Sequence, residues 1–581
     1  MTEFAIFLIQ NARIPIAILL LFVFLFLLLT LIKPVNSNLI SKFNKYFSFK
    51  ILRVPRPLFL LSLAVFFIWG IWLRIENLGS LEFYGDEFRH VFTAEGFNKT
   101  GKFLYWDRTA NKPINYIYNR ASFYTWQVAQ SFKFFGVNET VARTPSVFWG
   151  TLFLVVVLII AYKTEGTGLF TLVFFSQLVF DPTLIWQTRT VRMYTMFYTL
   201  FFLIIHLILR LIKGKVTFKN QILLSVLGLL LFFVTYQIHP LTVLLIPTVI
   251  LFSLYRIQYL KITFSKKKNL LLTLLISAII FGIFGLRFFG NHIEFSQPNI
   301  EYFFLSIKFF AQPLFALILI AVGIVYVLTQ RESVQKNQNI FLLVLLISYL
   351  GLMIFATNRY NNLRYLFPAV VIVYWFFAQG VIFTIYKAVK ILKLGSNSAL
   401  LIAAVIILLF GVKISIPNLT KNTLFTSVTV ANSFPDPGLG YTTKYREIYD
   451  YIRVYNPEAK IFSLHGPHQL WYANGLVIST VPDIVPNLPP SSKKYFTDEN
   501  TAISKVQQEL DENPEFIVNF ENYSKNNNVQ WLIVDEKIEP TWFSKMIEKD
   551  YQFVELQISK NFNGDENILV FKKIIFEQNK K

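Results

Sequence analysis

The segment E-F-Y-G-D-E-F-R-H-V-F-T-A-E-G-F-N-K-T-G-K-F-L-Y-W (Glu82–Trp106) follows a long apolar run and opens a polar stretch that lasts until about Pro145. Two adjacent acids, Asp86 and Glu87, stand directly after a glycine. Asp86 has two interpretations: a catalytic carboxylate at the water–lipid boundary, or the N-cap of a helix beginning near Glu87. Asp86 and Glu87 are both candidate catalytic residues, but adjacent helical residues point about 100° apart, so the two acids are expected to have different roles.

The composition around this segment excludes an ordinary soluble protein and a disordered one. The chain has 581 residues, of which 54% are hydrophobic and 15% charged, and its mean hydropathy is +0.49. Such values are typical of a polytopic membrane protein. The sequence contains no cysteine, which excludes both a disulfide framework and a thiolate metal site.

The formal net charge of +21 is unevenly distributed. Residues 1–416 contain 38 Lys and Arg against 13 Asp and Glu, whereas residues 417–581 contain 17 against 21. In the first part, most bases fall in short connections between apolar runs. This pattern indicates membrane topology rather than a nucleic-acid partner, whose binding surface would cluster bases on a soluble face.

Apolar segments of about 20 residues are long enough to span a bilayer. About twelve such segments are predicted, and His239-Pro240 marks a break between two of them. Their centres lie near residues 22, 66, 154, 175, 203, 229, 248, 280, 320, 348, 376 and 407. The fold class predicted is therefore mostly α: a transmembrane helical bundle over 1–416, followed by a small α/β domain over 417–581.

The distribution of Lys and Arg in short loops predicts the orientation in the plasma membrane. The basic connections all fall on one side, which we assign to the cytoplasm. The opposite, extracytoplasmic side receives the 75–145 loop, the Asp181 region, the 290–301 and 357–364 loops, and the domain 417–581.

The 75–145 loop is predicted to form two short helices, about 87–98 and 121–135. The second is rich in aromatic residues, so it is expected either to lie in the membrane interface or to pack on the outer ends of the bundle. In the 417–581 domain, strands are predicted near 460–464, 476–478, 531–535, 553–558 and 568–571. Helices are predicted between them at about 441–455, 500–512 and 541–549.

Two further polar clusters fall on the extracytoplasmic side. One runs from Asp181 to Tyr194 and includes Arg189 and Arg192, and the other runs from Asn358 to Pro368. The latter contains Arg359, Arg364 and Tyr365. The candidate substrate-binding residues in the two clusters are Asp181, Arg189, Arg192, Arg359, Arg364 and Tyr365. Boundary arginines usually face a cavity, a partner or a phosphate, although snorkelling to the interface is the alternative.

His239 is a candidate substrate residue, with a core histidine as the alternative. The spacing of acids and histidines shows no clear metal site, so the metal is unknown. A divalent cation held by Asp86, Glu87 or Asp181 stays open. Acids for proton transfer, arginines for an anion and an adjacent apolar bundle together favour transfer from a lipid-linked phosphate donor at the outer leaflet.

The chain resembles the membrane glycosyltransferases of the GT-C fold, in the branch that contains protein O-mannosyltransferases and the lipid A aminoarabinose transferase. The residues that carry the resemblance are the Asp86-Glu87 pair and four segments: Phe135–Gly150, Arg189–Met196, Arg364–Pro368 and His465–Gly475. The resemblance implies a polyprenyl-phosphate sugar donor and inversion at the anomeric carbon. It implies that Asp86 is the first-loop catalytic aspartate, and it matches Asp181 more weakly to a further acid.

On this interpretation, Asp86 accepts the proton of the acceptor hydroxyl, and Arg192, Arg359 or Arg364 stabilises the leaving phosphate. The expected partners are the lipid-linked donor, membrane lipids, and a lipid, glycan or protein acceptor. A transporter or flippase is the main alternative, since such proteins carry intramembrane charges, but no repeat is evident. A polysaccharide polymerase or a non-catalytic surface protein is a third alternative.

Overall fold

The computed structural model describes most of the bundle and parts of the C-terminal domain. The described residues are 54–79, 82–83, 86–108, 111–118, 121–165, 168–213, 217–259, 314–330, 333–353, 363–392, 445–463, 471–473, 476–479, 522–524, 526–535, 551–553 and 568–573. Several predictions lie outside these residues. They are the spans near 22, 280 and 407, the domain boundary at 417, and the helices at 500–512 and 541–549.

The described part of residues 54–392 forms a bundle of apolar helices, which confirms the predicted class. Among the described residues, six helices are long and apolar enough to cross a membrane, and three apolar helices are shorter. The bundle helices are α1 (Arg56–Ile75), α4 (Glu139–Glu165), α5 (Leu169–Val179), α6 (Pro182–Thr188), α7 (Tyr194–Lys213), α8 (Phe218–Ile238), α9 (Leu245–Tyr259), α10 (Leu314–Thr329), α11 (Val334–Met353) and α12 (Leu363–Ile391). As the sequence predicts, α8 ends at His239-Pro240, and a 3-10 turn over Pro240–Leu244 follows it.

Helices α10 and α12 approach each other closely because both carry a glycine at their crossing point. A Cβ atom at Gly323 would lie 1.9 Å from the Phe376 carbonyl oxygen, and one at Gly380 would lie 1.8 Å from that of Leu319. Membrane helices gain little from the hydrophobic effect against each other, so close packing of small residues is a main source of their association. This crossing fixes the helix that begins at Leu363 and carries Tyr365.

The 75–145 loop forms a small subdomain on the bundle. It contains α2 (Glu87–Thr100), the antiparallel strands β1 (Leu104–Asp107) and β2 (Lys112–Ile117), and α3 (Ser122–Phe135). Both predicted helices are confirmed, whereas the hairpin was not predicted. Its strands are short and β2 contains Pro113, which weakens the strand pattern in the sequence.

Helix α3 has one buried face and one exposed aromatic face. Tyr124 and Val128 are fully buried, whereas Phe134 and Phe135 are 71% and 73% exposed. The helix therefore packs on the bundle, as one interpretation predicts. Its exposed face has the aromatic character expected of an interfacial helix, and contact with lipid stays a prediction.

The described part of the C-terminal domain contains a helix and a five-stranded mixed sheet. Helix α13 (Tyr445–Tyr455) precedes β3 (Lys460–Ser463), β4 (Val477–Ser479), β5 (Trp531–Asp535), β6 (Tyr551–Phe553) and β7 (Ile568–Lys573). The strand order is β4-β3-β5-β7-β6. Strand β3 pairs in parallel with β4 and β5, and the β5–β7 and β7–β6 pairs are antiparallel. Strands β3, β4, β5 and β7 lie where strands were predicted, whereas β6 overlaps the strand predicted at 553–558 only at Phe553.

Candidate functional site

Asp86 contacts two arginines and does not cap helix α2 with its side chain. It occupies the N-cap position, but its backbone is helical (φ −66°, ψ −9°) and its side chain makes no capping hydrogen bond. Instead, Oδ1 lies 3.2 Å from Arg89 Nε and Oδ2 lies 2.5 Å from Arg192 Nη1. The N-cap interpretation is therefore wrong for this carboxylate.

The Asp86–Arg192 pair lies at the boundary between exposed and buried parts of the protein. The Asp86 side chain is 32% exposed, whereas that of Arg192 is only 4% exposed. An exposed ion pair contributes little to stability, and a buried arginine needs compensating contacts. The pair thus places an accessible carboxylate beside a buried cation.

Arg192 connects Asp86 to a group of tyrosines inside the bundle. Its Nη2 donates to the Tyr194 hydroxyl at 3.2 Å, and the Tyr194 hydroxyl donates to that of Tyr365 at 3.4 Å. The His239 ring lies 5.7 Å from the Tyr194 ring and 5.6 Å from the Tyr365 ring. The fold therefore brings together four predicted site residues: Asp86, Arg192, His239 and Tyr365.

Tyr194 completes this cluster, although the sequence alone did not select it. It is 1% exposed and begins helix α7 directly after the Arg189–Arg192 segment. The sequence feature that could have selected Tyr194 as a site residue is its position at the end of the arginine-rich cluster. A tyrosine there can reach both the arginine two residues earlier and the neighbouring helix.

His239 is fully buried and has a structural contact. Its Nδ1 accepts a hydrogen bond from the Leu241 amide at 3.3 Å, which caps the 3-10 turn after the helix break. Its ring also packs 4.9 Å from that of Phe197. These contacts favour the core-histidine interpretation for Nδ1, and the substrate role stays a prediction.

Glu87 has different contacts from Asp86, because it forms a fully buried ion pair, and its catalytic role stays a prediction. Its side chain is 1% exposed and that of its partner Arg143 is 2% exposed. Arg143 donates to both carboxylate oxygens, at 3.3 and 3.1 Å, and the Val191 amide donates to Oε1 at 2.6 Å. Glu87 thereby joins α2 to α4 and to the segment that carries Arg192.

Arg143 was missed as a site residue, although it lies in the Phe135–Gly150 segment. It also donates to the carbonyl oxygens of Leu78 and Glu82, at 2.8 and 2.9 Å. A buried arginine near the start of a membrane helix needs such partners. Its contacts fix the chain on both sides of Asp86.

Asp181 and Arg189 both make contacts that hold helix ends. The two carboxylate oxygens of Asp181 accept from the Leu184 amide at 2.7 Å and from the Tyr374 hydroxyl at 2.6 Å. Arg189 donates to the carbonyl oxygens of Leu73 and Asn77, at 2.9 and 3.2 Å, near the end of α1. Burial, with the charge of Arg143 nearby, lowers the pKa of Arg189 to about 10, so it remains a cation at neutral pH.

The substrate roles predicted for Asp181 and Arg189 therefore stay predictions beside these structural contacts. Neither residue joins the Asp86–Arg192 contacts described above. Arg359 lies outside the described residues, as does the side chain of Arg364, whose backbone lies in the first turn of α12.

The described residues contain no group of three His, Asp or Glu that could hold a metal ion. Both oxygens of Asp86 face arginines, and those of Glu87 and Asp181 accept hydrogen bonds within the protein. Each of the three acids named as candidate ligands thus has protein partners within the described part of the chain.

No family model and no curated protein matches the sequence. Among solved structures, the chain is similar to apo ArnT from Cupriavidus metallidurans, with a TM-score of 0.50 and 13% identity over 88% of this chain and 97% of ArnT. The structure of ArnT bound to undecaprenyl phosphate has a TM-score of 0.48 and 12% identity, over 90% of this chain and 99% of ArnT. The apo Archaeoglobus fulgidus oligosaccharyltransferase has a TM-score of 0.49 and 13% identity, over 85% of this chain and 73% of the oligosaccharyltransferase.

At sequence identities this low, similarity to solved structures shows a shared fold and nothing more. The chain has the GT-C fold of membrane glycosyltransferases, as the resemblance in its sequence implied. Together with the apolar helices, the fold makes it an integral membrane protein.

Proposed function

We propose that the protein is a glycosyltransferase that moves a sugar from a polyprenyl-phosphate donor to an acceptor hydroxyl on the outer face of the membrane, with inversion. Asp86 is the general base. The observation that carries the proposal is the Asp86–Arg192 pair, in which a 32% exposed carboxylate contacts a buried guanidinium at 2.5 Å. The GT-C fold supports the proposal, since glycosyltransferases such as ArnT have it.

The Asp86 carboxylate and the Arg192 guanidinium suit the two tasks of a glycosyl transfer, which are activation of the acceptor and stabilisation of the leaving phosphate. The acceptor hydroxyl is a poor nucleophile, so a positioned carboxylate must take its proton as its oxygen attacks the anomeric carbon. The bond between that carbon and the donor phosphate breaks, and negative charge grows on the departing lipid phosphate. A preorganised arginine stabilises this charge, because guanidinium binds phosphate oxygens with short, charge-assisted hydrogen bonds.

Arg192 also offers a way to couple donor binding to activation of the base. One of its nitrogens forms an ion pair with the Asp86 carboxylate. A donor phosphate would compete for this guanidinium and release an Asp86 oxygen toward the acceptor. Since Tyr194 binds Nη2 at 3.2 Å, the arginine would keep one anchor while it changes partner.

The remaining parts of the proposal follow from the placement of the cluster. Tyr194, Tyr365 and His239 lie on bundle elements next to Arg192, where they could contact the donor headgroup. The apolar helices would hold the polyprenyl chain. Arg364, at the start of the helix that carries Tyr365, is proposed as a second phosphate ligand.

The test is transfer by the purified protein in lipid nanodiscs, with a set of polyprenyl-phosphate sugars labelled in the sugar and a hydroxyl acceptor fraction from the cell envelope. The expected result is release of unglycosylated polyprenyl phosphate and a product whose anomeric configuration is opposite to that of the donor. Asp86→Asn should lose transfer, and Asp450→Asn is its matched control, because Asp450 also pairs with an arginine three residues later, at an exposed site on α13. Consumption of none of the donors by the wild-type protein would contradict the proposal.

A further inference from the structure

We infer that Tyr472, in the C-terminal domain, is a positioning residue that fixes the backbone leading to Asp86. The inference rests on the proposed function of Asp86. The Phe83 amide donates a hydrogen bond to the Tyr472 hydroxyl at 2.7 Å, and this hydroxyl donates in turn to Glu139 Oε1 at 2.9 Å. The tyrosine therefore bridges the segment before Asp86 and the first residue of α4.

A second contact from the C-terminal domain holds the neighbouring residue. The Arg446 amide donates to Glu82 Oε1 at 2.7 Å, and the Arg446 guanidinium forms an ion pair with Glu139. Glu82 and Phe83 are thus held by Arg446 and Tyr472, which lie on two different segments of the C-terminal domain. Glu139 is the shared acceptor that joins these two residues to the bundle.

Trp471 adds an aromatic contact beside these hydrogen bonds. Its ring is 5.3 Å from that of Phe83 and 5.5 Å from that of Phe92, in edge-to-face arrangements. The guanidinium carbon of Arg108 lies 3.7 Å from its ring centre, and Arg108 also donates to the Trp471 carbonyl oxygen. Such packing excludes water from the hydrogen bonds of Tyr472 and makes them stronger.

The environment of Tyr472 keeps its hydroxyl protonated. Burial raises the pKa of the phenol well above its ordinary value, and the charges of Glu139 and Glu82 raise it further. The hydroxyl therefore remains a donor to Glu139 over the whole physiological pH range. A permanent donor at this point is what a fixed bridge requires.

These contacts act on the site itself because the same short segment is also held from the bundle. Arg143 donates to the Glu82 carbonyl oxygen at 2.9 Å and to the Glu87 carboxylate. Tyr472 holds Phe83 from the C-terminal domain. Asp86 lies between Phe83 and Glu87, which are both held in place, so a shift of Phe83 would move the Asp86 carboxylate relative to Arg192. A misplacement of about 1 Å can cost on the order of a hundredfold in rate.

The experiment compares Tyr472→Phe with Tyr451→Phe, in the full-length protein in nanodiscs. The first variant removes only the hydroxyl that bridges Phe83 and Glu139. The second is the same change in α13 of the same domain, at a residue that is 39% exposed, stacks on Tyr455 and meets the Trp531 ring edge-to-face. Hydrogen exchange of the peptide containing Phe83 and steady-state transfer from a polyprenyl-phosphate sugar are measured for both.

The expected result for Tyr472→Phe is roughly fivefold faster exchange at the Phe83 amide, the factor that corresponds to losing one hydrogen bond of about 1 kcal/mol. The kcat of transfer should fall at least about tenfold while the KM for donor stays within about twofold. Tyr451→Phe should change none of these values. If the Tyr472 hydroxyl only stabilised the fold, the kcat of the folded Tyr472→Phe protein would equal that of the wild type.

Unchanged exchange at Phe83, unchanged kcat, or an equal loss in Tyr451→Phe would each overturn the inference. Failure of the proposed function is a separate result, since it would appear as an inactive wild-type protein with every donor tested. The exchange measurement needs no donor, so in that case it decides alone whether Tyr472 holds Phe83.

Discussion

Replacing Glu87 by glutamine is predicted to destabilise the protein through the charge that it leaves on Arg143. The glutamine oxygen can still accept from the Val191 amide, which lies 2.6 Å from Glu87 Oε1. Its amide nitrogen, however, faces a guanidinium that has only donors. Arg143 is 2% exposed, so water cannot replace the lost carboxylate.

Removing one partner of a buried ion pair costs about 3–5 kcal/mol, because the remaining charge is uncompensated. Arg143 keeps its hydrogen bonds to the carbonyl oxygens of Leu78 and Glu82, so we expect the lower end, about 3 kcal/mol. Asp450→Asn breaks an ion pair whose side chains are 35% and 57% exposed and should cost at most about 1 kcal/mol.

Thermal unfolding in detergent, followed by circular dichroism, measures the effect in Glu87→Gln, Arg143→Met and the double variant. The double variant should be more stable than the sum of the two single losses predicts, because neither charge is then left alone. A Glu87→Gln variant as stable as Asp450→Asn, with additive effects in the double variant, would refute this reasoning.

Three further predictions concern the donor site and the topology. Arg192→Gln should slow transfer by about 10²–10³ at saturating donor, as loss of an electrostatic donor typically does, and an unchanged rate would remove Arg192 from the mechanism. Arg364→Ala should weaken donor binding more than it lowers the thermal midpoint, and unchanged affinity and turnover would make Arg364 a snorkelling residue. A cysteine introduced at the exposed Glu458 should react with a membrane-impermeant maleimide in intact cells, and one at the exposed Lys219 should not; the reverse pattern would invert the orientation.

The sequence predicted the bundle well because long apolar runs have few alternatives in a membrane. It also predicted the helices of the 75–145 loop and four of the five strands described in the C-terminal domain. The hairpin over residues 104–117 was missed, since short strands that contain a proline give a weak pattern.

The candidate site was only partly predictable, for a physical reason. Charge and membrane placement selected Asp86 and Arg192, which the fold brings into contact. The same criteria could not distinguish a reactive group from a structural one. Asp181 accepts a hydrogen bond from the Tyr374 hydroxyl and Arg189 donates to the Leu73 carbonyl oxygen, and both of these contacts join residues far apart in the sequence. Tyr472 could not be selected at all, because its contact with Phe83 joins residues 389 positions apart.

The most direct test of the account is the single-turnover rate of Asp86→Asn with a polyprenyl-phosphate sugar bound in advance. Asparagine keeps the size of the side chain and one oxygen for the arginines, but it cannot accept the proton of the acceptor. We expect a variant of near wild-type thermal stability that binds donor and transfers sugar about 10²–10⁴ times more slowly, while Asp450→Asn transfers at the wild-type rate. Transfer by Asp86→Asn within about threefold of wild type, far less than the loss of a general base costs, would contradict the account.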